Sequence, residues 1–131
     1  AAKALAFYAK ALGAEQSMRM DGPDGKVMHA EMRIGNSPVM VAPEYPSYGN
    51  VAPTPGQCSV SLHLYVPDVD KSFQRAIDAG CTVTMPIMDM FWGDRFCKVA
   101  DPFGHSWAIA THKEDLTMEE CARRAANFKP S

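Results

Sequence analysis

Dense positive charge is absent from this 131-residue chain: apart from the adjacent Arg123 and Arg124, no stretch concentrates Lys or Arg. Thirteen basic residues stand against fifteen acidic ones, a formal charge of −2 with the histidines neutral. Binding to nucleic acid or to an anionic membrane surface draws on a concentrated basic patch, so neither partner is expected. Long apolar runs are lacking too; none approaches the roughly 20 residues of a membrane helix. No charged, then apolar, then small-residue leader opens the chain, and the expected location is cytoplasmic. The four cysteines, Cys58, Cys81, Cys97 and Cys121, lie far apart with no Cys-x-x-Cys, which favours reduced thiols over disulfides or zinc. Gly-x-Ser-x-Gly, Gly-x-Gly-x-x-Gly, P-loop and His-Glu-x-x-His patterns do not occur. Hydrolase, dinucleotide and ATP chemistry therefore have no foothold, and no cofactor is expected. What is present, 47% hydrophobic and 21% charged residues, is an ordinary globular composition, and the length suits one domain.

Leu5, Tyr8 and Leu12 fall at helical spacing over residues 1–12, and Gly13 stands where a C-cap glycine belongs. Three extended stretches follow, 15–20, 27–34 and 38–42, separated by Asp21-Gly-Pro-Asp-Gly25 and Gly35-Asn-Ser37. These turns predict an antiparallel meander. Four prolines and two glycines between residues 43 and 57 block helix and central strand and mark a linker. Residues 59–66 alternate, with Val60, Leu62, Leu64 and Val66 on one face and Ser61, His63 and Tyr65 on the other. Asp68 or Asp70 caps a helix carrying Val69, Phe73 and Ile77, which Gly80 closes. Strands are expected over 82–85, 95–100 and 106–111, the last two joined by Asp101-Pro-Phe-Gly104. Thr117-Met-Glu-Glu120 has capping-box spacing and starts a helix over 117–127, expected to cover a sheet edge.

The order helix, glycine, strand, turn, strand, turn, strand occurs twice, and Phe7-Tyr-Ala-Lys-Ala-Leu-Gly13 echoes Phe73-Gln-Arg-Ala-Ile-Asp-Ala-Gly80. The expected fold is α+β: two tandem βαβββ modules plus a C-terminal helix, with the first strand of the first module missing from this chain. The first module covers about residues 1–44, the linker 45–57 and the second module about 58–113, all within a single domain.

Phe91-Trp-Gly-Asp-Arg95, Asp101-Pro-Phe-Gly-His105, Leu62-His-Leu-Tyr-Val-Pro-Asp-Val-Asp70 and Ala110-Thr-His-Lys-Glu-Asp115 carry a family likeness. In this order they resemble the vicinal-oxygen-chelate superfamily of glyoxalase, bleomycin-resistance and dioxygenase proteins, within it the PhnB-like branch. The resemblance implies curved sheets around a cavity, usually within a homodimer. Metalloenzymes of that superfamily hold a divalent ion with His and Glu from the first and last strand of each module. Carried over, those positions fall on Ser61, on Ala108 and among Val39, Met40 and Val41, while the fourth lies on the missing strand. Three of four lack a usual donor, so no metal site is expected.

The candidate site residues follow from strand faces. His63, with Ser61 and Tyr65, lies on a polar face and could serve as a general base. His29, Glu31 and Arg33 form a stripe opposite Met28, Ala30, Met32 and Ile34; His29 and Glu31 suit a base and its orienter, Arg33 an anion. Trp92 and Arg95 are candidates to grip a planar or anionic ligand, or else Asp94 and Arg95 lock the loop. Ala108 and Ala110 alternate with Trp107 and Ile109, so small residues leave room for a ligand. The expected function is therefore binding of a small organic molecule in a dimeric cavity. The same residues leave enzymatic readings open: a metal-dependent lyase or dioxygenase with relocated ligands such as His29 and His63, or a metal-free isomerase using His63.

Overall fold

A computed structural model describes residues 1–128. Helix α1 (Ala2–Leu12) leads into strands β1 (Glu15–Asp21), β2 (Val27–Ile34) and β3 (Ser37–Val41), an antiparallel sheet in the order β1-β2-β3. After one turn of 3₁₀ helix at Pro46–Tyr48 come β4 (Ser61–Tyr65), α2 (Val69–Ala79), β5 (Thr82–Asp89), β6 (Asp94–Ala100) and β7 (Ser106–His112). These four strands form a second sheet in the order β4-β7-β6-β5, with β4 parallel to β7 and the other pairs antiparallel. Helix α3 (Met118–Asn127) ends the described chain. The repeat is visible in space. The second module is a complete βαβββ unit, and the first repeats it from its helix onward, leaving the outer edge of β3 unpaired where β7 receives β4.

The local signals explain most of the elements. Gly13 ends α1 at φ 68°, and a side chain there would collide with the Arg75 guanidinium, which donates to the α1 carbonyls of Lys10 at 2.8 Å and Ala9 at 3.1 Å. A glycine in left-handed geometry thus lets one module's helix cap the other's. Asp68 accepts from the Lys71 N–H at the start of α2, and Thr117 from the Glu120 N–H at the start of α3. Strand β5 runs four residues beyond the expected end, through Pro86. It is the outermost strand of its sheet and its register shifts twice, so a residue without an N–H is tolerated there.

The core lies between the sheets and the packed pair α1 and α2. Leu5, Tyr8 and Ala11 of α1 meet Ala30, Met32 and Ile34 of β2, and continue into Val69, Ala76, Cys97, Val99, Trp107 and Ile109. Burying each large side chain of this set contributes on the order of 2 kcal/mol. Two expectations are corrected. Val60 and Leu62, on the apolar face of residues 59–66, are exposed rather than buried: Leu62 lies on the helix side beside Trp107, but β4 is an edge strand and leaves it uncovered. Helix α3 has no buried residue and rests on the preceding loop through an Arg124–Glu114 ion pair at 2.7 Å rather than covering a sheet edge. All four cysteines are free. No helix of the described residues is long and apolar enough to cross a membrane.

Candidate functional site

The sheet β4-β7-β6-β5 has one face against the helices and one open face, and alternation sorts its residues between them. Trp107, Ile109, Cys97 and Val99 point to the helices. On the open face the register lines up three rungs across the strands. Ser61 lies beside Ser106, His63 beside Ala108 and Lys98, and Tyr65 beside Ala110 and Phe96. Met85 and Met88 extend the second and third rungs onto β5. The two alanines form a floor, 2% and 0% exposed, roofed by larger neighbours: His63 packs on Tyr65 at 5.0 Å between ring centroids and on Phe96 at 5.7 Å. Ala108 is therefore not an open contact surface; its smallness lets His63 and Phe96 meet above it. Among the described residues neither the His63 ring nor the Lys98 ammonium has a hydrogen-bond or salt-bridge partner, and both face outward from this sheet.

One end of that face is closed by a polar cluster. Asp94, whose side chain is 1% exposed, accepts from the Tyr65 hydroxyl at 2.7 Å, the Trp92 indole N–H at 2.8 Å and His112 Nδ1 at 2.8 Å. Burial pushes its carboxyl pKa up, but the bonds from His112, Tyr65 and Trp92 outweigh burial and hold it below the usual carboxylate range. The same contacts act on the donors. His112, bonded to Asp94 and through Nε2 to Asp115 at 2.7 Å, is raised above an ordinary histidine. The Tyr65 hydroxyl is likewise raised, first by its bond to Asp94. Tyr65 therefore keeps its proton and offers a ligand an aromatic ring and a fixed hydroxyl, not a base.

Arg95 is on the other face. Its guanidinium binds Asp70 of α2 at 3.1 Å and Asp89 at 3.2 Å, so the expected Asp94–Arg95 lock does not form, and strand alternation separates Arg95 from His63 and Tyr65. Trp92 does reach the His63 face, packing on Phe96 at 5.4 Å. On the first sheet, His29 and Glu31 are half-buried and Arg33 is exposed, opposite the buried Ala30, Met32 and Ile34. Register sets His29 beside Met20 and Glu31 between Met18 and Met40, a stripe rimmed by exposed methionines. No side-chain bond joins His29 to Glu31 among the described residues, so the base-and-orienter pair is not formed. Two residues join this face beyond those expected: Asp94, which binds Tyr65 and His112 rather than Arg95, and Lys98, which alternation from Phe96 puts on the small-residue face.

With this geometry in hand, comparison with known proteins is decisive for the family. The profile of the Glyoxalase/Bleomycin resistance protein/Dioxygenase superfamily matches residues 1–109. The chain belongs to that superfamily. An uncharacterized protein of Mycobacterium bovis is 44% identical over 124 residues, covering 92% of this chain and 82% of the relative. Among solved structures, TioX from Micromonospora sp. ML1 superposes with a TM-score of 0.68 at 28% identity, covering 85% of this chain and 89% of that one. A PhnB protein of Bacillus cereus shares the fold with a TM-score of 0.57 at 16% identity, over 84% of this chain and 89% of its own.

The superfamily's metal can now be tested against the side chains present. Ser61 spends its hydroxyl on Ser106 at 2.7 Å, Ala108 has no donor, and the β3 position is apolar. Among the described residues no three His, Cys, Asp or Glu side chains converge as a metal-holding set. These residues do not fit a His/Glu chelate.

Proposed function

We propose that this superfamily member binds a small organic molecule on the open face of the β4-β7-β6-β5 sheet, without a His/Glu metal centre, in a cavity closed by a second copy of the chain. The supporting observation is the row His63, Tyr65, Phe96 and Trp92 around an alanine floor: adjacent aromatic rings on a rigid sheet, with the His63 ring unbonded, on the face that also carries Ser61 and Ala108. Aromatic and apolar walls with a few convergent polar groups are the usual make-up of a small-molecule site. A second copy is part of the proposal because one sheet supplies one wall. The exposed Met18, Met20 and Met40 around Glu31 are adaptable apolar surface of the kind that covers a ligand or a partner. Cytoplasmic residence fits the four free thiols.

The isomerase reading gains less. A general base needs a group to fix its tautomer, and His63 contacts rings instead of a carboxylate. The lyase or dioxygenase reading needs relocated ligands such as His29 and His63, and among the described residues no set of three His, Cys, Asp or Glu side chains converges to hold an ion.

The test begins with protein purified without chelator. Light scattering should give a dimer and elemental analysis well below one transition metal per chain. A thermal-shift screen of small organic molecules should then yield saturable hits whose affinity falls about tenfold or more in His63→Ala, with an unchanged circular dichroism spectrum. Equal affinities in His63→Ala and Tyr65→Ala, or one bound metal per chain, would overturn the proposal.

A further inference from the structure

Lys98 stands in an unusual electrostatic position for this protein. Two other cations near the second sheet are paired with carboxylates: Arg95 with Asp70 and Asp89, Arg124 with Glu114 and Glu120. The cavity of about 790 Å³ between α2, the 89–95 turn and α3 contains Arg95, Lys113 and Arg124, but also Asp70, Asp89 and Glu114. With Asp94, four carboxylates there stand against three cations. The cavity of about 430 Å³ at the opposite end of the open face, under linker residues Gly56 and Cys58, is different: it is lined by Lys98, Ser106, His105, Thr84 and Met85, and by no carboxylate.

The backbone builds this pocket. Lys98 sits between Ala108 and Met85 in the sheet register, so its stem lies over a methyl group and a thioether and its ammonium extends past them. One rung further, the hydroxyls of Ser61 and Ser106 share a hydrogen bond at 2.7 Å, which uses one of their two protons and leaves the other to donate. The linker is seated against the sheet at Gly104, whose φ is +95°; a side chain there would press on the Pro53 carbonyl oxygen at 2.8 Å. Only glycine allows that approach, and Gly104 itself lines the pocket.

We propose that this pocket is an oxyanion subsite of the open-face site, so that the ligand is an organic acid: its carboxylate or phosphate is held by Lys98 and the Ser61–Ser106 pair, and its apolar body lies along Met85, Phe96 and His63. A half-buried lysine with a hydroxyl donor beside it and no carboxylate in the pocket lining is suited to an anion, and charge-assisted bonds are about twice as strong as neutral ones. The proposal rests on the reading of the open face as a binding face, and adds the class of molecule.

The probes are benzoate, phenyl phosphate and the neutral isostere benzamide, titrated into ¹⁵N-labelled protein at low salt. Benzoate or phenyl phosphate should move the Lys98, Gly104 and Ser106 amides saturably, at least tenfold more tightly than benzamide; the tighter of the two identifies the oxyanion. Lys98→Met should remove that preference by weakening the charged probes far more than benzamide, while Lys98→Arg keeps it within about threefold. Equal affinity for charged and neutral probes, or an unaltered preference in Lys98→Met, would overturn the subsite and leave open-face binding standing. Absence of binding by all three probes, with shifts at neither Lys98 nor His63, would count against both readings.

Discussion

Asp94 and Asp101 mark the two ends of strand β6, and each buried carboxylate accepts one tyrosine hydroxyl and one tryptophan N–H. Asp94 takes Tyr65 and Trp92; Asp101 takes Tyr8 at 2.6 Å and Trp107 at 2.9 Å. Their tasks differ. Asp101 also accepts the backbone N–H groups of Phe103 and His105, so it holds the Asp-Pro-x-Gly turn and ties it to the first module's helix. Asp94 instead adds His112 and organises the end of the open face.

Replacing Asp94 with Asn keeps the shape but removes the charge from three hydrogen bonds in a nearly inaccessible position. The expected loss is about 2–4 kcal/mol of stability. A lowered urea midpoint with a far-ultraviolet spectrum like that of the unaltered protein would match this account; an unchanged midpoint would contradict it.

The Asp94–His112 pair gives stability a pH profile. His112 is raised above 6.5 in the folded protein, so its contribution is complete below 6.5 and is lost as pH climbs through the raised value. Asp94 is lowered below 3.8, so its contribution is present above 3.8 and is lost as pH falls through the lowered value. Both contributions are complete between those two ordinary values. His112→Asn should therefore destabilise the protein most near pH 5 to 6, and the difference should narrow toward pH 9, as read from urea midpoints across that range. A difference that stays constant with pH would remove the pair from the profile.

Tyr8→Phe deletes the 2.6 Å bond between the modules and leaves a buried carboxylate short of one donor. A loss of about 1.5–3 kcal/mol is expected in chemical denaturation, without change in affinity at the open face, since Tyr8 lies on the helix side of the sheet.

Gly93 has φ +101°, and an added methyl group would overlap the Glu114 carbonyl while Gly93 itself accepts from the Lys113 and Glu114 N–H groups. Gly93→Ala should cost about 2–4 kcal/mol and release residues 113–128. Limited proteolysis should then cut after residue 112 much faster than in the unaltered chain; equal rates would show that the loop is held otherwise.

Burial pushes the Cys81 and Cys97 thiols up to about 11. In native protein at pH 8 a disulfide reagent should label two thiols quickly, Cys58 and Cys121, and the other two only on unfolding.

Much of the fold was legible in the chain because its signals are local. Gly13 and Gly80 end helices, Asp68 and Thr117 start them, the glycine turns set the meander, and Trp107-Ala-Ile-Ala110 announces which face of β7 is covered. The doubled order of elements revealed the repeat, and the repeat pointed to the family. The site was less legible. Strand alternation placed Ser61, His63 and Tyr65 on one face, but the partners of Asp94 come from β4, β7 and the 92 turn, 29 and 18 residues away in two cases. Spacing along a chain carries no record of such meetings.

By itself, then, the sequence determined most of the elements and their order, since caps, turns and periodicity act within a few neighbouring positions, and its likeness to the superfamily set Ser61 and Ala108 where metalloenzymes carry ligands. The tertiary structure alone decided the rest. It turned Arg95 toward Asp70 and away from His63, gave Asp94 to Tyr65 and His112, and left Lys98 without a counter-charge. Ion pairs and hydrogen bonds are settled by which groups register and packing bring within about 3 Å, and that distance exists only in the folded chain.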